Sequence, residues 1–236
     1  MKISDLRVVL VEPEGEVNIG FTCRVMYNFN VDKLYIVNPK VDISKAREFA
    51  AKATSILENA KVVEKLEDAI RDCSFVVATS SKASAEDLLR ECVTPWELLE
   101  LLRKVKGDIA IMFGRESTGL TRDEIRKAHV LVTIPANPSY PVLNLSHAIA
   151  IILYEIYKEF GKPHIPTRKG VTMEDVKLTE EYLDKILNIL DISESRRRKY
   201  KLYIKRILIK GLISHGEARL LLSLLRKIYL ALKSKL

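Results

Sequence analysis

The sequence predicts an α/β protein, a parallel sheet with helices on both faces, followed by a small α-helical unit. Three observations lead there. Over roughly the first 160 residues, short β-branched runs alternate with longer amphipathic stretches. The short runs are apolar at nearly every position, as strands covered on both faces must be. A stretch bearing prolines and glycines, 161–172, then separates this region from a helical, strongly basic remainder, 173–236. A chain of 236 residues, 47% hydrophobic and 30% charged, is long and apolar enough for one such core with an appendage.

The predicted strands are Val8 to Val11, Leu34 to Val37, Phe75 to Ala78, Ile109 to Phe113 and Val130 to Ile134. Between them, Thr94-Pro95-Trp96-Glu97 begins a helix with an N-cap, a proline at the first helical position and a glutamate completing a capping box. Thr121-Arg122-Asp123-Glu124 repeats the box. A long helix should run to about Phe160. Beyond the linker, helices are expected at Thr179 to Leu190, Ser193 to Lys210 and Ser214 to Leu232. Gly211 should close the second, and Ser214 with Glu217 should cap the third. Leu221, Leu224, Leu225, Ile228 and Leu232 are assigned to one apolar face.

The net charge of +8 is unevenly distributed. Residues 1–160 carry 21 Lys and Arg against 23 Asp and Glu, whereas residues 161–236 carry 18 against 8. A basic excess confined to the tail points to a polyanion, because clustered cations gain affinity for nucleic acid by releasing condensed counterions. No apolar run approaches a membrane span and the first residues lack a leader pattern, so a soluble cytoplasmic protein is expected. Cys23, Cys73 and Cys92 are odd in number and far apart, and His129, His147, His164 and His215 are scattered, so no metal site is expected. His147, alone on a helix, reads as structural or exposed rather than as a base.

In such a sheet the ligand site lies beyond the carboxyl ends of the strands, and four loops follow predicted strands there. Glu12 to Arg24 contains Asn18 and Arg24, six positions apart and both expected to face the sheet's carboxyl edge. Phe113 to Thr121 contains Gly114 and Gly119, which let backbone approach a ligand; Leu120 stands where a P-loop needs lysine, which argues against nucleotide hydrolysis. Ile134 to Ser146 holds three prolines and Asn144. Thr79-Ser80-Ser81-Lys82 is a polar strand end. No G-x-G-x-x-G or G-x-S-x-G follows a strand, which removes the ordinary dinucleotide and serine-hydrolase readings.

Together these loops resemble the three ordered motifs of the SPOUT superfamily of RNA methyltransferases, SpoU/TrmH branch. The matching residues are Asn18-Ile19-Gly20 with Arg24, Phe113-Gly114-Arg115-Glu116 with Gly119-Leu120, and Ile134-Pro135 with Leu143-Asn144-Leu145-Ser146. Ala136-Asn137-Pro138-Ser139-Tyr140 and the helical tail look most like the TrmJ group.

The resemblance implies a C-terminal trefoil knot, a homodimer, and transfer of a methyl group from S-adenosyl-L-methionine to a ribose 2′-oxygen in tRNA. The target it implies is a cytidine or other pyrimidine at position 32 of the anticodon loop; rRNA, another tRNA position, or a non-catalytic RNA-binding role are the alternatives. It assigns the donor to Thr79, Ser80, Ser81, Gly114, Glu116, Gly119, Ile134, Pro141, Val142 and Leu143. It assigns the reaction to Arg24, Asn18, Glu116 and Asn144. Arg24 grips a phosphate and polarises the hydroxyl, since arginine keeps its proton at accessible pH. Many relatives carry serine where this chain has Val142, so no catalytic role is carried onto that residue. Arg196, Arg197, Arg198, Lys199, Lys201, Lys205 and Arg206 of the tail, with Arg24, are the expected RNA contacts.

Overall fold

A computed structural model of the chain describes residues 2–82, 91–162 and 169–235. It divides into two compact units, residues 1–163 and 164–236. The central part of the sequence-predicted linker, residues 163–168, lies outside the described residues.

Among its described residues the first unit is built on seven parallel strands: β1 (Leu6–Val11), β2 (Lys33–Val37), β3 (Lys61–Val63), β4 (Phe75–Thr79), β5 (Cys92–Val93), β6 (Ile109–Phe113) and β7 (Val130–Val132). Their order is β3-β2-β1-β6-β4-β7-β5. All five predicted strands are present. The last is shorter than expected, because Thr133 and Ile134 leave the sheet for the loop beyond it. The two unpredicted strands, β3 and β5, are the sheet's edges. At three and two residues they are too short to show a periodicity.

The helices of this unit are α1 (Glu16–Asn28), α2 (Arg47–Ala50), α3 (Thr54–Glu58), α4 (Leu66–Ile70), α5 (Pro95–Leu102), α6 (Arg122–Ile125) and α7 (Leu145–Phe160). Both predicted capping boxes form, Thr94 with Glu97 and Thr121 with Glu124, although the second starts only one helical turn. Strand side chains alternate between two cores. Leu6, Val8 and Leu10 join Ile19, Cys23 and Met26 of α1 and Ile149, Ile152 and Leu153 of α7 on one face. Val9 and Val11 join Leu66, Ala69, Leu120 and Ile125 on the other. Gly20 lets α1 lie close against the 46–49 segment. A Cβ there would stand 2.4 Å from the Cβ of Phe49 and 2.7 Å from the Ala46 carbonyl oxygen.

The second unit comprises α8 (Met173–Ile189), α9 (Glu194–Lys210) and α10 (His215–Lys233). Gly211 and the Ser214–Glu217 box end α9 and start α10 as expected. The first of these helices begins six residues earlier than predicted. Thr172 and Asp175 form a reciprocal capping box in which aspartate takes the position usually held by glutamate, and Thr179 is a buried interior residue. The apolar face of α10 also differs from the one predicted. Ala218 and Leu222 are buried with Leu221 partly so, whereas Leu224 and Ile228 are exposed.

Candidate functional site

A cavity of about 430 Å³ opens where the carboxyl ends of β4, β6 and β7 meet the 133–144 segment and α7. That volume is in the range of small-molecule sites. It is lined by all ten residues that the family resemblance assigns to the donor, from Thr79, Ser80 and Ser81 through Gly114, Glu116, Gly119 and Ile134 to Pro141, Val142 and Leu143. Asn18 and Asn144 line it too. Leu120, Leu145 and Ile152 complete an apolar wall.

The loop ends are tied together locally. Thr79 Oγ1 donates to the Met112 carbonyl at 2.8 Å, and Thr133 Oγ1 donates to the Ser80 carbonyl at 2.8 Å. The Ser80 amide donates to the Val132 carbonyl at 3.0 Å. Gly114 is required by the tightness of its own loop, since a Cβ would lie 2.2 Å from the Gly119 carbonyl carbon. Gly119, at φ +72°, takes a left-handed conformation.

A chain of hydrogen bonds crosses the rim and joins the three motifs. Asn144 caps α7 by accepting from the Ser146 amide at 2.9 Å and from Ser146 Oγ at 2.8 Å. Its Nδ2 donates to Asn18 Oδ1 at 2.9 Å. Asn18 Nδ2 in turn donates to Glu116 Oε1 at 2.8 Å, and Glu116 Oε2 accepts from the Glu14 amide at 2.8 Å. Glu14 reciprocates, accepting from the Ser117 amide at 3.0 Å and from Ser117 Oγ at 2.8 Å.

Beneath this rim Arg115 is largely buried between two carboxylates. Its Nε donates to Glu12 Oε2 at 2.9 Å, and its Nη1 and Nη2 form a fork on Glu124, each at 3.0 Å. Hydrogen bonding to Glu124, with a smaller contribution from Glu12, raises the arginine's pKa despite its burial. Burial works to raise the pKa of both Glu12 and Glu124. Arg115 outweighs it, assisted at Glu12 by Asn38 and Lys40 and at Glu124 by the Thr121 cap, and both stay below the usual carboxylate range. No signal in the sequence marks Arg115 as this staple, because its partners lie on elements brought together only by the sheet. Tyr140, 78% exposed, also lines the cavity and lies outside the predicted set.

Arg24 is not among the cavity's lining residues. Six residues along a helix turn through 600°, which leaves the two side chains about 120° apart around the axis of α1. Asn18 therefore faces the cavity while Arg24 lies on the exposed face with Val17 and Phe21, its guanidinium 5.5 Å from the Phe21 ring centre. The expectation that both face the sheet edge is corrected accordingly.

The predicted RNA contacts of the tail also divide. Arg196, Arg198, Lys199 and Arg206 are exposed, Arg198 pairing with Glu194 of its own helix. Arg197, Lys201 and Lys205 are half-buried, and Lys201 reaches Asp184 of α8 at 3.2 Å. At the base of the bundle Asp175 is fully buried, accepting from the Thr172 amide at 3.0 Å and lying 2.6 Å from His215 Nδ1 and 2.8 Å from Arg219 Nε. Among the described residues no cluster of His, Cys, Asp and Glu is arranged to hold a metal ion, and no helix is long and apolar enough to cross a membrane.

Fold and cavity define an α/β protein with a ligand-sized cavity at the carboxyl ends of its parallel strands. Residues 5–154 match the SpoU rRNA Methylase family, and the chain belongs to that family. It is 46% identical over 232 residues to the tRNA (cytidine-2′-O-)-methyltransferase TrmJ of Sulfolobus acidocaldarius, covering 98% of this chain and 96% of that protein. It is 39% identical over 226 residues to the corresponding TrmJ of Methanocaldococcus jannaschii, covering 92% and 97%. The crystal structure of TrmJ from Z. mobilis ZM4 superimposes with a TM-score of 0.72 at 27% identity, covering 94% of this chain and 98% of that one.

Proposed function

We propose that the chain is an S-adenosyl-L-methionine-dependent tRNA methyltransferase acting in the cytoplasm on the ribose 2′-oxygen of cytidine, or of either pyrimidine, at position 32 of the anticodon loop. The observation that carries this reading is the Asn144–Asn18–Glu116 chain at the mouth of a loop-lined cavity, in a protein whose near-full-length relatives are tRNA ribose methyltransferases.

The cavity's residues fit the donor. Ile134, Leu143 and Leu120 offer apolar faces to a purine, the strand-end backbone at Thr79 to Ser81 offers polar groups to its edges, and Glu116 supplies negative charge near a cation. When bound, the donor supplies an electrophilic methyl group on a positively charged sulfur. The chain's residues then align the hydroxyl and exclude water. Asn144 and Asn18 hold the rim in one geometry. Glu116 is engaged by Asn18 and the Glu14 amide, which suits it to holding that rim.

Arg24 enters this scheme from a second copy. Val17 and Phe21 are exposed on α1, with Arg24 beside Phe21, and Ile151 and Tyr154 are exposed on α7, which packs against α1. Exposed apolar side chains on these two helices support a homodimer in which Arg24 of one copy grips a phosphate beside the cavity of the other. The trefoil knot belongs to the same reading. It is assigned to the 133–144 segment, and what supports it is that α7 follows β7 near one sheet edge yet contacts α1 and α5. The helical unit, residues 173–236, is assigned to tRNA binding, with 161–172 as its linker.

The test is incubation of an unmodified tRNA pool with the protein and the methyl donor, followed by nuclease mapping with mass spectrometry. A methyl group on the ribose at position 32 is expected. Modification only at position 34 would move the target, and no donor-dependent mass change would reject the enzyme reading.

A further inference from the structure

The second unit uses two of its tyrosines internally and leaves two out. Tyr182 and Tyr229 meet edge to face at 6.0 Å, with Lys185 over both rings. Tyr200 and Tyr203 of α9 are 47% and 57% exposed, and neither ring has an aromatic or cationic partner among the described residues. Three residues apart on a helix, they stand about 60° apart around the axis with a rise of about 4.5 Å.

The inward side of the same helix is occupied. Ile204 and Leu208 enter the small core with Val176 and Ala218. On the outer side Arg196, Lys199, Arg206 and Lys210 surround the two tyrosines, all of them exposed. The helix carries eight cations against the single acid Glu194. A second copy of α9 laid on this face would set like charges against each other, whereas a polyanion would be drawn to it. Charge alone would accept any duplex. Exposed aromatic rings add something a duplex cannot use, because paired bases present only their edges while unpaired bases present a face for stacking.

We infer that Tyr200 and Tyr203 form a stacking platform for unpaired nucleotides of an RNA loop, with the flanking cations holding the phosphates on either side. The inference rests on the reading of this chain as a tRNA-modifying enzyme and deepens it. It assigns to the tail the choice of a single-stranded loop over a helix.

The test uses the full chain and two labelled RNAs carrying the same number of phosphates, a hairpin with an unpaired loop and a blunt duplex, with affinity read by fluorescence anisotropy over a salt series. Tyr200→Ala and Tyr203→Ala are each expected to weaken hairpin binding by about fivefold or more, leaving duplex affinity and the salt slope unchanged. Tyr200→Phe and Tyr203→Phe should keep the hairpin affinity, since stacking needs the ring and not the hydroxyl. Equal affinity of the alanine variants for the hairpin, or an equal loss on both RNAs, overturns the platform. Loop selectivity that depends on the tyrosines in a protein with no methyl-transfer activity would keep the platform and discard the enzyme reading. Normal methylation with unchanged hairpin binding in the alanine variants would do the reverse.

Discussion

Asn144 Nδ2 lies 2.9 Å from Asn18 Oδ1, joining two side chains 126 positions apart in sequence. One belongs to the first turn of α1 and the other caps α7, so their contact couples the loop after β1 to the loop after β7. Glu116 adds the loop after β6 through the second nitrogen-to-oxygen step at 2.8 Å.

Breaking that chain at its centre should be more damaging to chemistry than to donor affinity. Asn18→Ala removes both the acceptor for Asn144 and the donor to Glu116, and is expected to lower kcat by about 100-fold or more while the donor's Kd moves only a few-fold. Isothermal titration with S-adenosyl-L-methionine alongside single-turnover kinetics separates the two. Equal losses in both would show that the residue serves donor binding alone.

Arg24→Ala should abolish methyl transfer and leave donor affinity within a few-fold, because the side chain lies outside the cavity of its own chain. If it works across a dimer, mixing Arg24→Ala with Asn144→Ala copies should restore part of the activity, since each mixed dimer holds one complete site. No recovery in exchanged dimers would place the arginine's action within one chain.

Arg115→Ala would remove the cation that Glu12 and Glu124 share, leaving Glu12 only its pairing with Lys40 and its bond from Asn38. Removing one partner of a largely buried ion pair costs roughly 3 kcal/mol, or on the order of 6–12 °C in Tm for a chain of this size. Scanning calorimetry measures it, and a Tm within about 2 °C of wild type would show the staple to be dispensable.

The acid limb of stability should originate partly in the helical unit. Burial tends to raise the Asp175 pKa, but hydrogen bonds from Thr172 and the contact with His215 outweigh it and hold it well below its ordinary value. A lowered folded-state pKa stabilises the native state above the unfolded value of about 4, and that contribution is lost as pH falls below it. Far-UV circular dichroism from pH 6 to pH 2 should record loss of helix beginning near pH 4. Asp175→Asn should be less stable at pH 7 and lose less on acidification. An unchanged acid profile in that variant would remove the residue from the account.

Deleting residues 171–236 should abolish tRNA methylation while sparing donor binding, and in the intact chain tRNA affinity should fall steeply with salt. Each phosphate neutralised contributes roughly −0.7 to −0.9 to the logarithmic slope. Full turnover on tRNA by the truncated protein would reject the tail as the RNA-binding unit.

The sequence alone determined most of the sheet and the locations of the loops that line the cavity. Buried parallel strands must be continuously apolar, and helix starts are written in a few residues, as at Thr94 and Ser214. Both signals are local, so a linear reading captures them. The short edge strands β3 and β5, the Arg115 staple between Glu12 and Glu124, and the parting of Arg24 from Asn18 were decided by the tertiary structure. So was the division of the tail's cations into an outer face beside Tyr203 and an inner one against α8. Each depends on which elements the packed core sets side by side and on the angle a residue takes about its helix axis, and spacing along the chain specifies neither until the core has formed.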